Sequence, residues 1–232
     1  MHWLFPTPLY EVQLSPSEKC RRNMLRLVQR FHLSYARQRN ESAMPLSNLT
    51  GDAMTGTRAD QIHQLKELEW LNQQIAIHVR EFLSEVCGEN HQDVMAIVQK
   101  SWPVVCEENG GQILPHTHRN AHISAVYYLE IDPNSEAGQI KFMPSETYFT
   151  RMLPFPAATN DVTEAYSAKP RSGQLLIFPA NLLHAVEKYT GASPRYSIAY
   201  DILLTSTQSD NREMILSHPS NWRSLNVPSE KS

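Results

Sequence analysis

The 232-residue chain is poor in glycine and cysteine, has no long apolar run, and carries no excess of charge of one sign. Eight glycines are well under the usual share of about 7%. With 15 scattered prolines, they exclude a collagen-like or flexible low-complexity chain. The three cysteines, Cys20, Cys87 and Cys106, are odd in number, far apart and form no Cys-x-x-Cys pair. Neither a disulfide framework nor a zinc knuckle is signalled. No apolar stretch approaches the roughly 18 residues that a bilayer span needs, so no membrane partner is expected. The opening Met1-His2-Trp3-Leu4-Phe5-Pro6 lacks the basic and apolar regions of a secretory signal, which makes the cytoplasm the expected compartment. The 21 basic and 24 acidic residues give a net charge of -3. Proteins that neutralise nucleic-acid phosphates are usually strongly basic, so no nucleic-acid partner is expected.

What remains is an ordinary globular balance, 41% hydrophobic and 19% charged, read as a single domain over 1–232. Residues 1–92 read as mainly helical support. Ser15-Pro16-Ser17-Glu18 has an N-cap serine, proline at the first helical position and glutamate three residues after the cap. Met24, Leu27, Phe31 and Tyr35 follow at helical spacing. A second stripe runs Ile62, Leu65, Leu68, Leu71, Ile75, Val79, Phe82, Val86 and ends at Gly88, where a C-terminal cap belongs. That stripe suits either the wall of the β core or a homodimer interface. From 93 to 205 the pattern changes to short strands: Val94–Val105, broken by Pro103, then Ile123–Ile131, Ile140–Met143, Leu175–Phe178 and Tyr196–Leu204. Strand follows strand without intervening helices, which favours an antiparallel barrel or jelly roll. The aperiodic stretch Pro144–Pro170 reads as a lid or binding loop, and 206–232 as a polar tail.

Three histidines lie together in Leu114-Pro115-His116-Thr117-His118-Arg119-Asn120-Ala121-His122. Side chains two apart on an extended segment share a face, so His116 and His118 can address one metal ion, and parity adds His122 as a neighbour or substrate contact. A second element runs Gly173 to His184 through the apolar Leu175-Leu176-Ile177-Phe178. Eleven residues after His184 stands Arg195, with Ser197 on the same face. A planar guanidinium fork beside a hydroxyl suits a carboxylate. Taken singly, each has a plainer reading: surface histidines in a turn, a satisfied core histidine, a surface ion pair. Arg151 in the long loop is either solvated or a contact for an acidic substrate.

Together these residues resemble the Fe(II)- and 2-oxoglutarate-dependent oxygenase superfamily, in which an early His-x-Asp/Glu, a later histidine and an arginine some ten residues on converge in a double-stranded β-helix. Ser124-Ala125-Val126-Tyr127-Tyr128-Leu129 is similar to that superfamily's Tyr-Tyr-Leu strand, and Gly138-Gln139-Ile140-Lys141-Phe142 to its next strand. Leu4-Phe5-Pro6-Thr7-Pro8-Leu9-Tyr10 and the His-x-His resemble a bacterial and phage subfamily. The resemblance implies an α+β fold, a double-stranded β-helix (jelly roll or cupin-like barrel) with N-terminal helices packed on it. It implies Fe(II) held by His116, His118 and His184. It further implies 2-oxoglutarate as co-substrate, its far carboxylate held by Arg195, Ser197 and Tyr128 in a pocket walled by Ser124, Val126 and Val186. The implied reaction hydroxylates an unactivated C–H of a small molecule or a side chain, releasing succinate and CO2.

This chain departs from the pattern at His118, where the superfamily has a carboxylate. Three arrangements fit, in descending order: His118 ligates; His118 turns away and water takes its place; or Asn120 supplies an amide oxygen. Two other classes also fit a barrel with histidines. A cupin-type metal enzyme has its late histidine only a few residues after its glycine turn, whereas His184 stands eleven residues after Gly173. A non-catalytic jelly-roll binding module needs neither the histidines nor Arg195.

Overall fold

The computed structural model describes residues 7–38, 59–108, 110–143, 165–207 and 216–223. Two antiparallel sheets face each other, and two helices cover the back of the larger one. The strands are β1 (Tyr10–Gln13), β2 (Val94–Cys106), β3 (Ile113–His116), β4 (Ile123–Glu130), β5 (Ile140–Phe142), β6 (Tyr166–Ala168), β7 (Gln174–Pro179), β8 (His184–Val186) and β9 (Arg195–Ser206). The helices are α1 (Glu18–Gln38) and α2 (Glu69–Cys87). The large sheet has the order β1-β7-β4-β9-β2 and the small one β3-β8-β5-β6. This is the double-stranded β-helix that the residues resemble.

Alternation along the central strands sorts the side chains into two layers. Ile123, Ala125, Tyr127 and Leu129 of β4, with Ile198, Tyr200 and Ile202 of β9, belong to the larger core, packed with Met24, Leu27 and Val28 of α1 and Leu71, Ile75 and Val79 of α2. Each Val, Leu, Ile or Met among them, buried from water, contributes about 1.5–3 kcal/mol. The alternate residues turn inward: Tyr128, Leu176 and Phe178 meet Ile140 and Phe142 of the small sheet in a second core. Most of the α2 stripe lies against the sheet, although its last member, Val86, is exposed.

Two local expectations need correction. The α1 cap is Ser17, not Ser15: its Oγ accepts the Cys20 N–H at 3.3 Å, and Glu18 then pairs with Arg21 and Arg22 in the first turn. Pro103 does not break β2, which pairs with β9 from Val94↔Ser206 to Cys106↔Arg195. β2 is the edge of the large sheet, where a residue without N–H is tolerated. Residues 1–92 also contribute a short strand, since β1 pairs with β7 and extends the large sheet. Gly173 permits this junction: it sits at φ +86, and a Cβ there would lie 2.7 Å from the Leu14 carbonyl oxygen. At the end of β9, the Ser206 N–H donates to the Leu216 carbonyl at 2.7 Å. Among the described residues, no helix is long and apolar enough to cross a membrane.

Candidate metal centre and its cavity

β3 and β8 are antiparallel, and their register sets His116 directly opposite His184. β3 ends there. The chain turns, and the His118 N–H donates to the Ala180 carbonyl at 2.8 Å, which brings the third imidazole to the same point. One ligand atom from each of His116, His118 and His184 lies within 4.8 Å of the others. The His118 ring is stacked with that of His184, centroids 5.2 Å apart, and with Trp102 on β2 at 5.7 Å.

The outer nitrogens are all engaged. Nδ1 of His116 faces the Leu114 carbonyl and Nδ1 of His184 the Leu182 carbonyl, each at 2.8 Å. Nδ1 of His118 faces the Asp201 carboxylate at 2.5 Å. A carbonyl or carboxylate oxygen only accepts, so each Nδ1 carries the proton and each Nε2 keeps a lone pair for a metal. Burial, reinforced by repulsion from its two histidine neighbours, pushes His184 down to about 3. Burial also lowers His116. Both are therefore neutral near pH 7, the state a metal ligand requires.

A cavity of about 490 Å³ opens from this centre into the space between the sheets. Its wall includes Ser124, Val126 and Tyr128 of β4, Val186 of β8, and Arg195 and Ser197 of β9. Arg195 is 1% exposed. It donates to the Gly138 carbonyl at 2.6 Å and to Cys106 Sγ at 3.0 Å, and its guanidinium carbon lies 5.6 Å from the centre of the Tyr128 ring. No carboxylate meets it in these contacts, and among the described residues its buried Nε has no partner. The Ser124 hydroxyl is likewise buried and unpartnered. A buried cation and a buried hydroxyl left over in one cavity are costly unless an anionic ligand takes them up. Burial pushes the Tyr128 phenol up to about 12, so it stays a donor at neutral pH. Three metal-facing imidazoles beside a basic, donor-lined pocket fit a divalent metal and a dicarboxylate.

Residues 100–201 match the sequence model of the family described as "Putative 2OG-Fe(II) oxygenase". The matched stretch is similar to that family and includes His116, His118, His184, Arg195 and Asp201. Two solved structures agree with the double-stranded β-helix fold. AviO1 from Streptomyces viridochromogenes is similar at 11% identity and TM-score 0.54, over 85% of this chain and 90% of that one. A prolyl hydroxylase from Trichoplax adhaerens, solved with a hypoxia inducible factor peptide, is similar at 14% identity and TM-score 0.50, over 84% and 83%. An oxidoreductase of the 2OG-Fe(II) oxygenase family from Burkholderia pseudomallei aligns at 13% identity and TM-score 0.42 over 60% of this chain, which spans 58% of that one. No curated protein matches the chain.

Of the residues expected at the site, His116, His118, His184, Arg195, Ser197, Tyr128, Ser124, Val126 and Val186 all line the cavity. His118 points inward. Asn120, the alternative ligand, instead donates to Gln99 and Asp201. His122 is not in the cavity wall, since parity does not carry across the turn between β3 and β4: it is exposed, and its Nδ1 accepts the Leu204 N–H at 2.9 Å. Arg151 lies outside the described residues. Asp201, Trp102, Gly138 and Cys106 were not anticipated. The signal for Asp201 was present, because the alternation that puts Arg195 and Ser197 on the cavity face of β9 continues through Ala199 to Asp201.

Proposed function

We propose that the protein is an Fe(II)- and 2-oxoglutarate-dependent dioxygenase that hydroxylates an unactivated C–H, with release of succinate and CO2. The observation that carries this reading is the pairing, in one cavity, of three imidazoles with free Nε2 atoms and a buried arginine whose Nε has no partner. His116, His118 and His184 would hold the iron, which supplies the redox and dioxygen chemistry when bound. Arg195, Ser197, Ser124 and Tyr128 would hold the far carboxylate of 2-oxoglutarate by charge and hydrogen bonds. Val126, Val186 and Ile140 wall the same cavity with apolar surface, which lowers the local dielectric and strengthens the guanidinium's hold on a carboxylate. Gly138 supports the arrangement: at φ +75 it turns the chain into β5 and presents its carbonyl to Arg195.

The substrate we propose is a small molecule or a protein side chain that carries an acidic group. Lys100 and Arg119 line the wall around His118, beside the Trp102 ring. The test is an anaerobic titration with Fe(II) and 2-oxoglutarate, read by the weak visible charge-transfer band of the chelate, followed by succinate measurement on admitting oxygen. Absence of both the band and succinate refutes the reading. Acidic compounds should then stimulate succinate release more than their neutral amides, and K100Q/R119Q should remove that preference.

A further inference from the structure

Asp201 occupies an unusual position for a carboxylate. Its side chain is 3% exposed, on the cavity face of β9. One oxygen faces His118 Nδ1 at 2.5 Å and the other accepts from Asn120 Nδ2 at 3.3 Å. Lys100, directly across from it on β2, sends its ammonium over the Trp102 ring, 4.8 Å from the centroid. Burying a carboxylate in this way is costly unless a positive charge is close by. The imidazole it grips presents its other nitrogen to the point where His116 and His184 converge.

We propose that Asp201 is a positioning residue of the metal centre, supplying through His118 the negative charge that a directly ligating carboxylate would otherwise bring. This rests on the reading of the three histidines as an iron site. Three neutral imidazoles leave a divalent ion with its full charge of +2. A carboxylate hydrogen-bonded to one of them offsets one unit without occupying a coordination position, fixes the Nδ1–H tautomer and raises the donor strength of Nε2. The stacked rings of Trp102 and His184 hold the imidazole plane, so the Asp201–His118 axis stays aimed at the centre. The carboxylate has in effect moved back by one side chain, and the imidazole carries its influence forward.

The experiment compares Co(II) and Fe(II) binding, measured anaerobically, in the parent, D201N, H118D and H118D/D201N, with thermal unfolding of each as the folding control and the Co(II) visible spectrum as a report on the ligand set. D201N keeps the shape and an accepting oxygen but loses the charge. It should weaken metal binding by ten- to a hundredfold and shift the Co(II) bands, while D201E should recover part of the affinity. In the H118D background the sign should reverse: two carboxylates would face one another, and removing the charge of Asp201 should leave metal binding as tight or tighter. A folded D201N that binds metal like the parent overturns the proposal. So does an equal loss in both backgrounds, because a merely structural role would be indifferent to what stands at 118. A parent that binds neither metal overturns the iron-site reading and this inference with it. A parent that binds, with D201N unchanged, overturns this inference alone.

Discussion

Replacing Arg195 with lysine separates the charge at the floor of the cavity from the geometry that delivers it. The guanidinium is fully buried, committed on one side to the Gly138 carbonyl and on the other to Cys106 Sγ, with Nε left without a partner. Lysine retains the charge but concentrates it in one ammonium, which cannot satisfy the Gly138 carbonyl and also meet a carboxylate as a planar fork. One charge-assisted hydrogen bond should be lost, at about 1.5–3 kcal/mol, which corresponds to a roughly ten- to hundredfold rise in the dissociation constant of 2-oxoglutarate. The assay is the anaerobic chelate titration, run in parallel with pyruvate, which has the 2-oxo acid head but no far carboxylate. Arg195→Lys should leave weak pyruvate binding unchanged and narrow its gap to 2-oxoglutarate. A folded Arg195→Lys protein with unchanged 2-oxoglutarate affinity would show that another group holds that carboxylate. An equal loss for both acids would show that Arg195 acts on the metal-binding head instead.

Other perturbations have equally definite outcomes. His116→Ala and His184→Ala should each abolish stoichiometric iron binding, measured by metal content after anaerobic loading, and retained iron in the double variant would contradict the assigned centre. His118→Ala should weaken iron binding by an order of magnitude or more, and parent-like affinity would leave a two-histidine site. His184, pushed down to about 3, refuses a proton that the unfolded chain accepts below about 6.5. Metal-free protein should therefore lose stability steadily as pH falls through that window, and His184→Gln should show a shallower loss by chemical denaturation; equal slopes would refute the neutral assignment. Ser124→Ala removes a buried hydroxyl that has no partner among the described residues, so it should cost little in thermal stability but weaken 2-oxoglutarate binding. A large drop in melting temperature with unaltered binding would make the hydroxyl structural.

The long elements and most of the cavity wall were legible because they obey a simple period. The five strands expected from runs of β-branched and aromatic residues correspond to β2, β4, β5, β7 and β9, and alternation alone put Ser124, Val126 and Tyr128, or Arg195 and Ser197, on one face. The strands that escaped, β1, β3, β6 and β8, are three or four residues long, too short for a period to register; β5 is as short, but the Gly138 turn before it marks its start. Leu114-Pro115-His116 does not read as a strand in isolation; β3 exists because β8 pairs with it. His122 failed for the complementary reason, since parity holds only while the chain stays extended. The partnership of His118 with Asp201 spans 83 residues, and no local pattern reports a contact of that range. Cys106, expected only as an isolated thiol, turns out to support Arg195, and that role follows from the last register pair of β2 and β9.

The inequality of the two sheets has a consequence for how the molecule breathes. β2 and β9 run side by side for a dozen residues and pack against the helical layer, whereas every strand of the small sheet has three or four residues. Amide hydrogen exchange should therefore divide into two populations: slow amides in β2, β4 and β9 that open only with the whole fold, and faster ones in β3, β5, β6 and β8 that open locally. His116 and His184 belong to the faster population, and Asp201 and Arg195 to the slower. A ligand gripped by both groups would stitch the short strands to the long ones, and the protection it confers should be concentrated on the few amides around His116 and His184.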